Sequence, residues 1–209
     1  MPGCNLAFLS RLQFTVTRGE LFSLQAPLPE GFVYQADFLT EAEEAELLRG
    51  ISSESFENFD FRGYTAKRRS VEYGLEYDFS TRKAAATNPF PEFLLPVRER
   101  AAAFAGIPAP ALVEGMILEY PAGAPIGWHR DAPQFGIVIG ISLLNAAPMR
   151  LRRYGQAGKI LSVILEPRSI YVLRGAARWQ WQHSIPSVEK PRYSITFRML
   201  QEKEEPKRA

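Results

Sequence analysis

Histidine occurs at only two places in the chain, and both settings suit metal binding. His129 stands in Trp128-His129-Arg130-Asp131, and His183 stands in Trp181-Gln182-His183-Ser184-Ile185-Pro186. In an extended segment, side chains two apart leave the same face, so His129 and Asp131 can chelate one ion together. A second imidazole from a distant strand completes one face of an octahedron. Two imidazoles and one carboxylate leave three positions open, which is the donor set of non-haem Fe(II) sites. Structural zinc wants four ligands, commonly thiolates, and the single Cys4 is remote from both histidines. A pair of ordinary half-buried histidines beside tryptophans fits these residues equally well.

The segment Arg192-Tyr193-Ser194-Ile195-Thr196-Phe197-Arg198 carries a second chemical pattern. Period-two alternation puts Arg192, Ser194, Thr196 and Arg198 on one face of a strand, and Tyr193, Ile195 and Phe197 on the other. Two placements satisfy this pattern. The polar face meets solvent beside a single apolar core, or it points into a barrel whose outside is covered by helices. In the second case the arginines, about 20 Å apart along the strand, do not grip one carboxylate together. Leaning inward, they bracket a short dicarboxylate, for which the planar guanidinium fork is well shaped. Tyr120, on one face with Met116 and Leu118, adds a hydroxyl donor.

Together these segments resemble the AlkB family of Fe(II)/2-oxoglutarate dioxygenases. Tyr120-Pro121-Ala122-Gly123 followed by His129-Arg130-Asp131 is similar to the family's Tyr-x-x-Gly…His-x-Asp segment. Trp181 to Pro186 is similar to its second-histidine segment, and Arg192 to Arg198 to its Arg-x5-Arg signature. The resemblance runs from about Phe32 to Leu200. It implies a double-stranded β-helix (jelly-roll) core, with Fe(II) on His129, Asp131 and His183. It also implies 2-oxoglutarate on Tyr120, Arg192, Ser194, Thr196 and Arg198, with Arg192 at the distal carboxylate and Arg198 toward the metal. The implied chemistry consumes O2 and 2-oxoglutarate, yields succinate and CO2, and hydroxylates a substrate C–H bond; an N-alkyl group treated this way leaves as an aldehyde. Two positions depart from the pattern. Leu118 stands where the family often has Asn, removing one hydrogen bond to the cosubstrate. Ala132-Pro133 follow Asp131 where members acting on alkylated bases often carry an acid.

For the substrate, the stretch from Arg62 to Gly74 mixes aromatics with Lys67, Arg68 and Arg69 and resembles the lid region of nucleic-acid-acting members. It implies that Tyr64 or Tyr73 stacks on an extruded base while Arg69 and its neighbours meet phosphates. A hairpin with solvated charges accounts for the same residues. Trp128 is a candidate wall of the substrate cavity, and Arg150, Arg152 and Arg153 form a second basic group on a strand's exposed side. Alkylated DNA or RNA is the expected partner; the alternatives are the same chemistry on a protein side chain or small molecule, and a non-catalytic module that keeps the fold.

The elements that must carry these residues fall in two blocks. A strand is expected at about Phe32–Ala36. Thr40-Glu41-Ala42-Glu43 has the form of a capping box and opens a helix to Ile51. A second helix is expected over Glu92–Phe104. Seven short apolar strands then follow, at 112–120, 136–144, 149–153, 160–165, 169–173, 181–185 and 193–200. The expected class is α+β, helices first and then an all-β half. Residues 1–30 are a segment of uncertain order, 31–200 the dioxygenase domain, and 201–209 a charged tail. A net charge of +2 supplies no global field for polyanions, so any such binding rests on local patches. One cysteine excludes an internal disulfide, and no apolar run is long enough for a bilayer. The expectation is a cytoplasmic monomer with no membrane partner.

Overall fold

The computed structural model describes residues 27–61, 64–78 and 83–201, with side chains outside 59–66 and 76–84. Most of the expected N-terminal segment and charged tail therefore lies outside the described residues. Strand β1 (Phe32–Gln35) leads into helix α1 (Glu41–Ile51). The capping box forms: Thr40 Oγ1 accepts from the Glu43 amide at 3.2 Å, and Glu43 Oε2 accepts from the Thr40 amide at 2.8 Å. Helix α2 (Leu95–Ala105) is preceded by a 3-10 turn at Glu92–Leu94. It ends at Gly106, whose φ of 70° is the left-handed conformation that closes helices.

Between the two helices lie three strands where a solvated hairpin was one reading and a substrate lid the other: β2 (Glu57–Phe61), β3 (Tyr64–Asp78) and β4 (Lys83–Ala86). The expected order of helices first and strands after is thus corrected. Strand β3 is hidden in the sequence because charged residues stand on both of its faces, which masks the apolar alternation. The remaining strands are β5 (Leu112–Tyr120), β6 (Ile126–His129), β7 (Phe135–Leu143), β8 (Ala147–Arg153), β9 (Leu161–Leu165), β10 (Ile170–Leu173), β11 (Trp181–Ile185) and β12 (Arg192–Leu200). A five-residue helix α3 (Gly175–Trp179) lies just before β11. Strands β5 and β11 have the expected bounds, and the other expected ones differ by one or two residues.

The strands make two antiparallel sheets, an arrangement of the double-stranded β-helix. The major sheet runs β1-β10-β7-β12-β5-β3-β2, with β4 on β3; the minor sheet runs β6-β11-β8-β9. Helices α1 and α2 cover the outside of the major sheet. Leu47, Ile51, Val97 and Ala101 pack there on Ile117, Ile139, Ile195 and Phe197, and full burial of each large aliphatic chain contributes about 1.5–3 kcal/mol. Between the sheets, Val138, Met149, Leu151, Tyr171 and Ile185 form a second core, with Met116, Leu118 and Tyr120 beside it. Gly140 leaves room for the Tyr171 ring, which a Cβ there would meet at 2.2 Å. Strand β12 lies between β7 and β5, so both of its edges are paired, and its apolar face packs in the helix-side core. This decides between the two placements of its polar face: Arg192, Ser194 and Thr196 are buried on the inter-sheet side. Among the described residues, no helix is long and apolar enough to cross a membrane.

Candidate active site

The two histidines meet across the minor sheet. His183 on β11 is the registered partner of His129 on β6, and their ring centroids are 4.2 Å apart. His129 Nδ1 lies 2.9 Å from the Gly127 carbonyl oxygen, a contact that calls for a proton on Nδ1 and leaves Nε2 as the free donor atom. Asp131, just beyond β6, uses only half its carboxylate: Oδ1 accepts from Arg198 Nε at 3.0 Å and lies 2.9 Å from Arg198 Nη2. Its Oδ2 is buried with no hydrogen-bond partner and sits 3.8 Å from His183 Nε2.

Protonation states favour ligation. Burial opposes ionisation of Asp131, but the Arg198 guanidinium, followed by the two imidazoles, overcomes it and holds the carboxyl below the usual range. Burial, reinforced by His129, depresses His183 to about 3, and burial also lowers His129. Both rings are therefore neutral at pH 7 beside a carboxylate, as a divalent cation needs. The donors are neighbours rather than a closed cage: among the described residues, no three His, Cys, Asp or Glu side chains are already drawn to metal-binding positions. Two ligands at about 2.1 Å from one ion and at right angles stand about 3 Å apart. The 3.8 Å gap between His183 and Asp131 would have to close by less than about 1 Å, within the reach of side-chain rotation. The orphaned oxygen and the N,N,O donor set fit Fe(II).

A candidate anion site lies at the other end of β12. Arg192 is 1% exposed, its guanidinium carbon 4.9 Å from the centroid of the Tyr120 ring. Its Nη2 donates to Ser142 Oγ at 3.0 Å, while Nε and Nη1 are buried without partners. A buried cation with two idle donors is costly, and a carboxylate is the group that offsets the cost. Ser194, Thr196 and Arg198 line an inter-sheet cavity of about 710 Å³ that also reaches Tyr120, His129, Asp131 and His183.

Residues 31–199 match the family model of the 2OG-Fe(II) oxygenase superfamily. The chain belongs to that superfamily. That superfamily is named for Fe(II) and 2-oxoglutarate, and within it the chain is similar to AlkB homologues. It is 29% identical over 181 residues to the Alkylated DNA repair protein ALKBH8 homolog of Arabidopsis thaliana, covering 75% of this chain and 51% of the relative. The chain thus spans about half of that relative's length. It is 29% identical over 175 residues to the mitochondrial Alpha-ketoglutarate-dependent dioxygenase alkB homolog 7 of Bos taurus, covering 80% of this chain and 73% of that one. Human alkB homolog 4 is 28% identical, with 83% and 68% covered. The solved structure titled "The structure of OsALKBH1" superposes with a TM-score of 0.65 at 17% identity, covering 84% and 99%, and shows the shared fold.

On the substrate side of the cavity, two of the expected residues lie away from the lining. Tyr73 is 3% exposed and packs in the helix-side core against Phe90, while Arg69 pairs with Glu119 at 2.5 Å beside the Phe56 ring. Neither lines the cavity; the β3 side chains that do are Lys67, Arg68 and Glu72. The segment reaches the cavity, but through neighbours of the residues expected there. Val71 and Tyr73 mark the core face of β3 by their apolarity, and that signal assigns Arg68 and Glu72 to the opposite face. The Tyr64 side chain lies outside the described residues. Trp128 does line the cavity, with Arg152 4.2 Å and Arg150 5.3 Å from its ring.

Two further residues escaped the sequence reading. Glu114 on β5 is 1% exposed; its Oε1 accepts from Arg198 Nη1 at 2.6 Å, so Arg198 is held between two carboxylates. Arg178 on α3, 2% exposed, ties down the turn after the first two ligands. Its Nε donates to the Phe135 carbonyl at 3.0 Å, and its Nη2 donates to those of Asp131 and Ala132 at 3.2 and 2.7 Å. One guanidinium thereby links the run into His183 with the loop that presents Asp131.

Proposed function

We propose that this dioxygenase removes N-alkyl groups from nucleic-acid bases. The observation that carries the reading is the composition of the cavity mouth: Trp128, Lys67, Arg68 and Arg130 line the same space as the metal-binding residues. An aromatic face beside cations suits an extruded base and its phosphates. The printed name of the Arabidopsis relative supports the same substrate class.

His129, Asp131 and His183 hold Fe(II). Arg192 takes the distal carboxylate of 2-oxoglutarate, and Tyr120, Ser194 and Thr196 border its chain. When bound, Fe(II) with 2-oxoglutarate and O2 would supply hydroxylation of an N–CH3 group; 2-oxoglutarate loses CO2 and takes one oxygen atom as succinate, the other enters the methyl group, and the carbinolamine releases formaldehyde and leaves N–H. The chain's own part is placement and exclusion of water. Arg198 keeps Asp131 ionised and oriented, Arg192 neutralises the cosubstrate, and Met116, Leu118 and Ile185 make apolar walls.

A second reading, the same chemistry on a protein side chain or small molecule, is favoured by Ala132-Pro133, which present no acid beside Asp131, and by the outward turn of Arg69. Formaldehyde and succinate are measured with methylated single-stranded DNA and RNA panels. Stoichiometric release of both supports base dealkylation. Steady succinate formation that no oligonucleotide accelerates overturns it in favour of the second reading.

A further inference from the structure

The strands of the minor sheet show a charge segregation that the cavity chemistry does not use. Strands β6, β8, β9 and β11 contain three arginines and no Asp or Glu. In β11 and β8, His183 and Leu151 face the inter-sheet space, so their neighbours face outward. Outside, Arg150 Nε donates to Ser184 Oγ at 3.2 Å, and Arg152 Nε donates to Gln182 Oε1 at 3.1 Å. Both guanidiniums lie by the Trp128 ring. Each bond uses one of five guanidinium donors, and among the described residues neither arginine is in an ion pair. Next to them on β9, Ser162 and Ile164 are exposed. At the cavity end, Arg130 lies 3.8 Å over the exposed Tyr154 ring. Trp128 and Arg130 belong to this face and to the cavity wall alike.

We infer that the outer face of the minor sheet, from Trp128 across Arg152 and Arg150, binds the backbone of a single-stranded nucleic acid whose target base enters the cavity. The inference rests on the proposed nucleic-acid substrate. Three physical points support it. Arg150 and Arg152, two apart on one strand, offer charges about 6.6 Å apart along it, a ladder suited to a linear polyanion. The absence of acids from these four strands removes the repulsion a phosphate chain would meet. Indole and phenol rings held by arginines give flat cationic platforms on which unpaired bases stack.

The test uses the full chain and an unmodified fluorescent single-stranded oligonucleotide, with anisotropy followed across a salt series. The doubly substituted Arg150→Gln/Arg152→Gln protein is expected to bind about ten-fold more weakly, with the slope of log K against log salt reduced by about 1.4 for two lost phosphate contacts. The charge-retaining Arg150→Lys/Arg152→Lys protein keeps most of the slope and controls for folding. Unchanged affinity and slope in the glutamine protein, or no oligonucleotide binding by the wild type at low salt, overturns the inference. Formaldehyde release from methylated oligonucleotides, measured on the same proteins, separates the two claims. Surface-dependent binding without formaldehyde sinks base dealkylation and leaves the surface; formaldehyde release with the same KM in the glutamine protein sinks the surface alone.

Discussion

The wall of the cavity built by β12 and the wall built by β3 reached their side-chain placement by different routes. On β12 every second residue from Arg192 to Arg198 is polar, every alternate one apolar, and the strand is paired on both sides. Its parity is fixed twice over, by the helix-side core and by the orphaned donors of Arg192. On β3 the charged residues Lys67, Arg68, Arg69 and Glu72 occupy both faces, and only Val71 and Tyr73 tell the faces apart. Adjacent arginines on that strand consequently live in different worlds, Arg68 at the cavity and Arg69 on Glu119. Where a polar function is written with the period of its element, a site is readable; where charge spills onto both faces, register decides.

That contrast is open to attack by substitution. The largest effect is expected from Arg192→Met, which leaves the distal carboxylate of 2-oxoglutarate without its buried partner. Losses of about 2–5 kcal/mol are usual for such a pair, so KM for 2-oxoglutarate should rise at least thirty-fold in succinate assays; an unchanged KM would place the cosubstrate elsewhere. Next comes Arg178→Lys, because one ammonium cannot serve three carbonyls spread from Asp131 to Phe135. Metal affinity, followed by the visible bands of Co(II), should weaken about 10–100-fold, while circular dichroism stays native. A drop in Tm with unaltered Co(II) affinity would make Arg178 purely structural.

The sharpest probe of β3 is a pair. Arg68→Ala should raise the oligonucleotide KM several-fold, and Arg69→Ala should leave it unchanged; the reverse result would invert the register assigned to the strand. The smallest effect is expected at Leu118, where Asn would restore the hydrogen bond that the AlkB resemblance implies. A gain of about 0.5–1.5 kcal/mol corresponds to a 2-oxoglutarate KM lowered by roughly two- to ten-fold, and a raised KM would show that the Met116–Leu118–Tyr120 cluster does not tolerate the amide.

Much of the fold was legible because local signals agreed with tertiary need. The Thr40 capping box, the apolar side of α1, and the bounds of β5 and β11 all follow from short-range chemistry. Strand β6 has four residues, one of them glycine, and α3 only five, too short for any period to show. The candidate ligands were visible as residue types; their supports were not. Arg178 binds backbone carbonyls, which every residue carries, so no partner could be named in advance. Glu114 is one of two acids in a largely apolar strand, and its meaning emerges only when Arg198 pairs with it.

The grip of Arg198 on Asp131 has a consequence for coordination number. With Oδ1 engaged by the guanidinium, Oδ2 is the oxygen without a partner, and the aspartate would bind a metal through that one atom. A chelating carboxylate would occupy two of six positions and leave too few for a bidentate 2-oxo acid together with O2. By taking one oxygen out of play, the arginine would limit the protein's denticity and so spare positions on a bound Fe(II) for the reactants.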